Sequence, residues 1–182
     1  MSKEKLNLGA GTKNLEGYIN VDNRKECNPE VIHDLNIIPY PFADSQFSEV
    51  IMDHAIEHLS DPLAVLGEIY RISEPNAMIY INCPHFSGNW VHPGHKSAIS
   101  VHLFDFLRPG GEEVYGNANF ELEKVELRWF RYLIGRRANP ILKILNYLIN
   151  IVANLSPSFT ERFLCYSVGG FEEIRFTARV VK

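Results

Sequence analysis

Cysteine is scarce and badly placed for cross-linking. The three in 182 residues, Cys27, Cys83 and Cys165, are odd in number, far apart and without a C-x-x-C pair, which excludes a disulfide-stapled secreted module and a zinc ribbon alike. A surplus of positive charge is also missing. The net charge is -4, which argues against a nucleic-acid binder with a strongly basic field and leaves room only for a local patch, so no nucleic-acid partner is expected. The opening MSKEKLNLGAG lacks the apolar core of a secretory signal. A reducing cytosol is the expected home, with a membrane-peripheral position as the alternative. The longest apolar stretch, residues 140–155, spans about 24 Å as a helix, too little to cross a bilayer.

What remains is an ordinary globular composition, 46% hydrophobic and 22% charged, consistent with one domain over residues 1–182. Short apolar runs at Lys5–Leu8, Tyr18–Val21, Val31–His33, Ser48–Met52 and Met78–Asn82 end in Gly, Asn, Asp or His. That pattern predicts buried parallel strands with chemistry at their carboxyl ends. Between the last two, Asp61 offers an N-cap, Pro62 a first helical position, and Val65, Leu66, Ile69 and Ile72 a helical stripe. The earlier connections, Thr12–Gly17 and Asn23–Glu30, are too short for full crossover helices. Two closing strands are expected near Glu121–Trp129, with a bulge where parity slips between Leu122 and Val125, and over Ile174–Val180. The polar segment 85–118 reads as a lid over the carboxyl ends, and 136–165 as a helical insertion opened by Pro140. In that insertion Lys143, Asn146, Asn150 and Asn154 form one narrow polar stripe on an otherwise apolar helix.

Gly9-Ala10-Gly11 closes the first strand with a sharp turn that admits a ligand to the backbone. Asn14 stands where the dinucleotide fingerprint needs a small residue, so a nicotinamide or flavin dinucleotide is not expected. A nucleoside without phosphates fits better: Asp22 can accept both ribose hydroxyls and Asp34 the exocyclic amine of adenine.

LNLGAG, these acidic strand ends, IPYPFADSQFSEVIMDHAIEHL and RISEPNAMIYINCP together resemble the successive motifs of class I methyltransferases that use S-adenosylmethionine. The likeness is to small bacterial and archaeal members of the type 11 kind. It covers residues 5–84 well and 85–110 loosely. It implies an α/β fold with a Rossmann-like, mostly parallel sheet, an antiparallel closing strand and truncated first crossovers. It also implies S-adenosylmethionine as cofactor. Carried over by position, Gly9, Ala10 and Gly11 flank the methionine part, Asp22 holds the ribose, and Asp34 with Leu35 holds the adenine. Asp53 and His54 line the far side, and Asn7 joins the cofactor-binding set. Asn76-Ala77 replaces the usual Gly-Gly turn before the fifth strand.

Six of the seven histidines fall between His54 and His102. His54-Ala-Ile-Glu57-His58 matches the H-x-x-E-H pattern of inverted zinc peptidases, but Asp61-Pro62 starts a new helix too soon for that motif to occupy one. The expectation is therefore no metal, with Glu57 and His58 structural. His85, just past the fifth strand, and His95, in the loop beyond, are the candidate catalytic bases for a hydroxyl acceptor. Arg128, Arg131, Arg136, Arg137 and Lys143 lie among aromatic residues with no acid. They fit a solvated face beside a packed helix or dimer contact. They equally fit a small, glycan or lipid-linked anionic acceptor with peripheral membrane contact through 128–155. The expected function is S-adenosylmethionine-dependent methyl transfer. The alternatives are an inactive fold relative that only binds, and a metal-dependent hydrolase using the histidines.

Overall fold

The computed structural model describes residues 4–88, 92–108, 118–131 and 139–182. Seven strands form one sheet: β1 (Glu4–Leu8), β2 (Ile19–Asp22), β3 (Val31–Ile32), β4 (Phe47–Asp53), β5 (Ser73–Cys83), β6 (Phe120–Arg128) and β7 (Glu173–Val180). Their order is β3-β2-β1-β4-β5-β7-β6. The first five are parallel, and β7 runs antiparallel to both β5 and β6. The α/β architecture, the mostly parallel sheet and the antiparallel closing strand are as the sequence implied. So is the bulge in β6, a register shift between Leu122 and Lys124. The order reverses between β1 and β4, where open α/β sheets place their ligand crevice.

Helix α1 (Pro62–Ile72) forms for the reasons legible in its sequence. The Asp61 carboxylate accepts the amides of Leu63 and Ala64, and Pro62 sits in the first turn. Val65, Leu66, Ile69 and Ile72 are buried against the sheet, and the Ser73 hydroxyl donates to the Ile69 carbonyl where the helix ends. Asn76 takes the left-handed conformation, φ +64°, which asparagine tolerates better than most residues. β5 thus begins earlier than the apolar run suggests.

The link from β1 to β2 carries no helix, and that from β2 to β3 only a 3-10 turn, Lys25–Cys27. Asn7 and Asn20 substitute for the missing packing. The Asn7 amide donates to Asn20 Oδ1 and to the Lys13 carbonyl, and Asn20 Oδ1 also accepts the Leu15 amide. Two buried side chains so fasten a loop over the sheet face that a crossover helix would otherwise cover.

Part of the expected lid lies outside the described residues. Of the rest, Ile99, Val101, Phe104 and Leu107 are buried in the core. Helix α2 (Pro140–Leu155) is followed by short helical segments α3 (Pro157–Phe159) and α4 (Cys165–Ser167), joined by a π-helical turn at Thr160–Leu164. Its asparagine stripe faces inward, against the usual polarity of a surface helix. Asn154 Oδ1 accepts the Leu127 amide and Asn154 Nδ2 donates to the Leu127 carbonyl. Asn150 accepts from the Trp129 amide and Asn146 from that of Phe130. The apolar circumference faces outward, with Ile141, Ile144, Leu148, Ile151, Val152 and Leu155 all exposed.

Candidate active site

The ends of β1, β2 and β4 border a cleft of about 540 Å³. At its mouth Gly9 has φ +68°, and a Cβ there would meet that of Ala55 at 2.4 Å. Only glycine allows this turn to close on the end of β4. Asp22 is almost fully buried. Its Oδ2 accepts the Gly11 amide at 2.8 Å, and its Oδ1 accepts the amide of Arg24 at 3.0 Å and that residue's Nε at 3.2 Å. Burial pushes the Asp22 carboxyl up, but these donors outweigh it and hold the group below its ordinary range. It is ionised at neutral pH.

Asp34 turns the chain after β3. Its Oδ1 accepts both the amide and the side-chain nitrogen of Asn36, each at 2.9 Å, and these bonds lower its pKa. Leu35, Ala55 and Leu59 give the cleft an apolar floor, while Arg24, His58 and Lys96 add polar walls. Of the residues anticipated from sequence, Gly9, Asp22, Asp34, Leu35 and His54 line this cleft. Gly11 contributes its amide to Asp22. Asn7, Ala10 and Asp53 instead border a smaller recess of about 190 Å³ that also touches Gly9. Lys13 pairs with Asp53 there at 2.7 Å.

His54 adopts φ +54°, an unusual value that turns the chain sharply out of β4. Its Nε2 lies 3.0 Å from Glu173 Oε2 and its Nδ1 3.4 Å from Glu57 Oε1. Burial lowers the His54 pKa, but the two carboxylates more than reverse this and raise it. Ile56–His58 is a single 3-10 turn, so His54 and His58 do not share the helical face that an inverted zinc peptidase requires.

The two candidate bases part company. His85 is fully buried and lines no part of the cleft. Its Nδ1 contacts the Ser87 hydroxyl at 2.7 Å and its Nε2 contacts Glu161 Oε2 at 3.0 Å. Both nitrogens are therefore engaged, Nε2 in tying the end of β5 to the helical segment after α2 and Nδ1 within its own turn. His95 lies beside the cleft, its ring 5.0 Å from that of His58, and the next residue, Lys96, lines the wall. Arg136 and Arg137 lie outside the described residues; Arg131 pairs with Glu173 at 2.8 Å.

Sequence reasoning missed Arg24, although its position two residues after Asp22 is a visible cue. It also missed Lys96, brought in because the Lys96 amide donates to the Glu57 carbonyl at 2.7 Å, a long-range contact that no local pattern encodes.

Residues 13–81 match the family described as a methyltransferase domain. No curated protein matches the chain in sequence. Among solved structures, an S-adenosylmethionine-dependent methyltransferase of Archaeoglobus fulgidus is 16% identical, TM-score 0.55, over 97% of this chain and 86% of that one. Phosphoethanolamine N-methyltransferase 2 of Haemonchus contortus, solved with S-adenosylmethionine, is 15% identical, TM-score 0.55, over 98% of this chain and 48% of that one. The cyclase SpnF is 14% identical, TM-score 0.59, over 98% of this chain and 75% of that one. At these identities the likeness is one of fold, and the cyclase illustrates that one fold carries more than one reaction.

Proposed function

We propose that this chain, which has the fold of class I S-adenosylmethionine-dependent methyltransferases and their domain pattern over residues 13–81, transfers a methyl group to a small or glycan- or lipid-linked acceptor. The observation that carries the reading is the buried, ionised Asp22 at the end of β2, next to the strand-order reversal, lining a cleft with an apolar floor. Such a set suits S-adenosylmethionine: a carboxylate for the ribose hydroxyls, Asp34 for the adenine amine, apolar side chains beneath the ring, and a glycine turn free of side chains. When bound, that group supplies an electrophilic methyl on sulfonium, whose carbon–sulfur bond breaks as the acceptor bond forms. The residues of the chain orient and exclude water. Asp22 fixes one end through charge-assisted bonds, Arg24 moves off or shares its carboxylate, and Lys96 and His95 border the side from which an acceptor enters. His85 holds the scaffold rather than a proton in transfer.

The acceptor reading draws on the outward apolar face of α2. Lys143 and Arg162 are exposed on this segment, whereas Glu161 is turned toward His85. An apolar face with a positive rim fits the headgroup region of an anionic membrane, and a lipid-linked acceptor would be met there.

The cofactor assignment is tested by calorimetric titration of S-adenosylmethionine into the parent and Asp22→Ala. Loss of the ribose contacts should weaken binding by about tenfold or more, roughly 1.4 kcal/mol. Equal affinity in a variant that melts as the parent does removes Asp22 from the site.

A further inference from the structure

One group of side chains beside the cleft is left unexplained by cofactor binding. Glu57, His58 and His95 place one ligand atom each within 4.8 Å of one another. Glu57 is nearly inaccessible to solvent, and its Oε2 is buried without a hydrogen-bond partner among the described residues. A carboxylate oxygen in that position is costly unless something positive meets it. Its other oxygen lies 3.4 Å from His54 Nδ1 and 3.9 Å from His58 Nε2.

The backbone orients the ligand atoms. His58 Nδ1 lies 2.8 Å from the Gly94 carbonyl, which can only accept, so Nδ1 donates to it and Nε2 is left as the nitrogen that faces Glu57, 3.9 Å from its Oε1. Ligating imidazoles are oriented in this way by a partner on the other nitrogen. The backbone fixes the two segments together: the amides of Lys96 and Ser97 both donate to the Glu57 carbonyl, at 2.7 and 3.2 Å. Gly94 is packed so closely that a Cβ would meet His92 Nδ1 at 3.3 Å.

We propose that Glu57, His58 and His95 form a binding site for a divalent first-row transition ion on the wall of the cleft. Two imidazoles and a carboxylate are a donor set suited to zinc, cobalt or iron, and they leave coordination positions for another ligand. Ligand atoms on one such ion stand about 3.3 Å apart, so from separations of up to 4.8 Å the group needs to contract by as much as about 1.5 Å. This departs from the expectation of structural roles for Glu57 and His58. It also differs from a helical H-x-x-E-H site, because His95, from a separate loop, replaces His54. His58 and Lys96 line the cleft, so a hydroxyl or carboxylate oxygen of the acceptor is the natural further ligand. That last step rests on the methyltransferase reading; the ion site does not.

The test uses the full chain stripped with a chelator and titrated with Co2+ alone, followed by metal analysis and the visible ligand-field spectrum. A single equivalent with a tetrahedral or five-coordinate spectrum is expected. His95→Ala should weaken binding by about tenfold or more, and Glu57→Gln should do the same. His102→Ala, away from the group, should leave binding unchanged. Melting temperature and S-adenosylmethionine affinity are measured on each sample. No stoichiometric Co2+, or equal affinity in folded His95→Ala, overturns the site whatever the cofactor does. Cofactor binding that fails while Co2+ binds removes the methyltransferase reading and leaves the ion site standing.

Discussion

Replacing Asn154 by leucine should destabilise the protein strongly, although a residue-by-residue reading of α2 makes the change an improvement. The helix has a high apolar content, and leucine is the better helix former. In the structure, however, Asn154 satisfies both backbone groups of Leu127, at 2.8 and 2.9 Å, and donates to the Asn150 carbonyl at 2.7 Å. Leu127 is fully buried, so water does not replace the lost partner. Each orphaned backbone group costs about 1–3 kcal/mol, partly offset by the added apolar contact, for a net loss of about 2–4 kcal/mol. For a chain of this length that is a fall of about 5–15 °C in melting temperature. Thermal unfolding followed by circular dichroism reads it directly. Ile144→Asn, on the outward face, is the control and should move the midpoint little. If Asn154→Leu melts at or above the parent temperature, the stripe faces solvent and the placement of α2 is wrong.

Ile144→Glu combined with Leu148→Glu should abolish flotation with anionic vesicles while S-adenosylmethionine affinity stays as in the parent. Parent protein that ignores vesicles but dimerises through this face in sedimentation assigns the surface to a second copy instead. Glu68 gives a test of pH dependence. Arg71 first, then the Tyr40 amide, lower its pKa against the opposing effect of burial. A carboxylate with a depressed native pKa stabilises the fold fully above its unfolded value, near 4.5, and loses this as pH falls through the native value. Glu68→Gln should therefore be less stable at neutral pH and show a flatter stability curve between pH 4.5 and the lower native value. Parallel curves for the two proteins would refute the linkage.

Much of the sheet was legible because its signals are local and physical. Apolar runs ending in small or acidic residues marked the parallel strands, Asp61-Pro62 marked α1, and a break in alternation marked the β6 bulge. Asp22 and Asp34 were legible for the same reason, since strand-end position alone brings them to one crevice. The orientation of α2 was not, because a polar stripe looks the same whether water or a backbone receives its hydrogen bonds. Nor was the fate of His85: its distance from the cleft depends on Glu161, 76 residues away in sequence. The grouping of Glu57 with His95 likewise depends on a loop fold fixed by backbone amides, which side-chain identity does not specify.

The inward asparagines of α2 have a consequence for how the molecule lives at high concentration. β6 is the terminal strand of the sheet, and such a strand offers unpaired amides and carbonyls to any other chain that can extend it. At Leu127 both groups are already taken by Asn154, and just past the strand the amides of Trp129 and Phe130 are taken by Asn150 and Asn146. The opposite margin, β3, is only two residues long, too short to template a neighbour. Extension of the sheet is thereby opposed at the carboxyl end of β6 by side chains rather than by charge or proline. The protein can carry a broad apolar helix on its outside without also presenting, beside it, the backbone ladder on which fibrils grow.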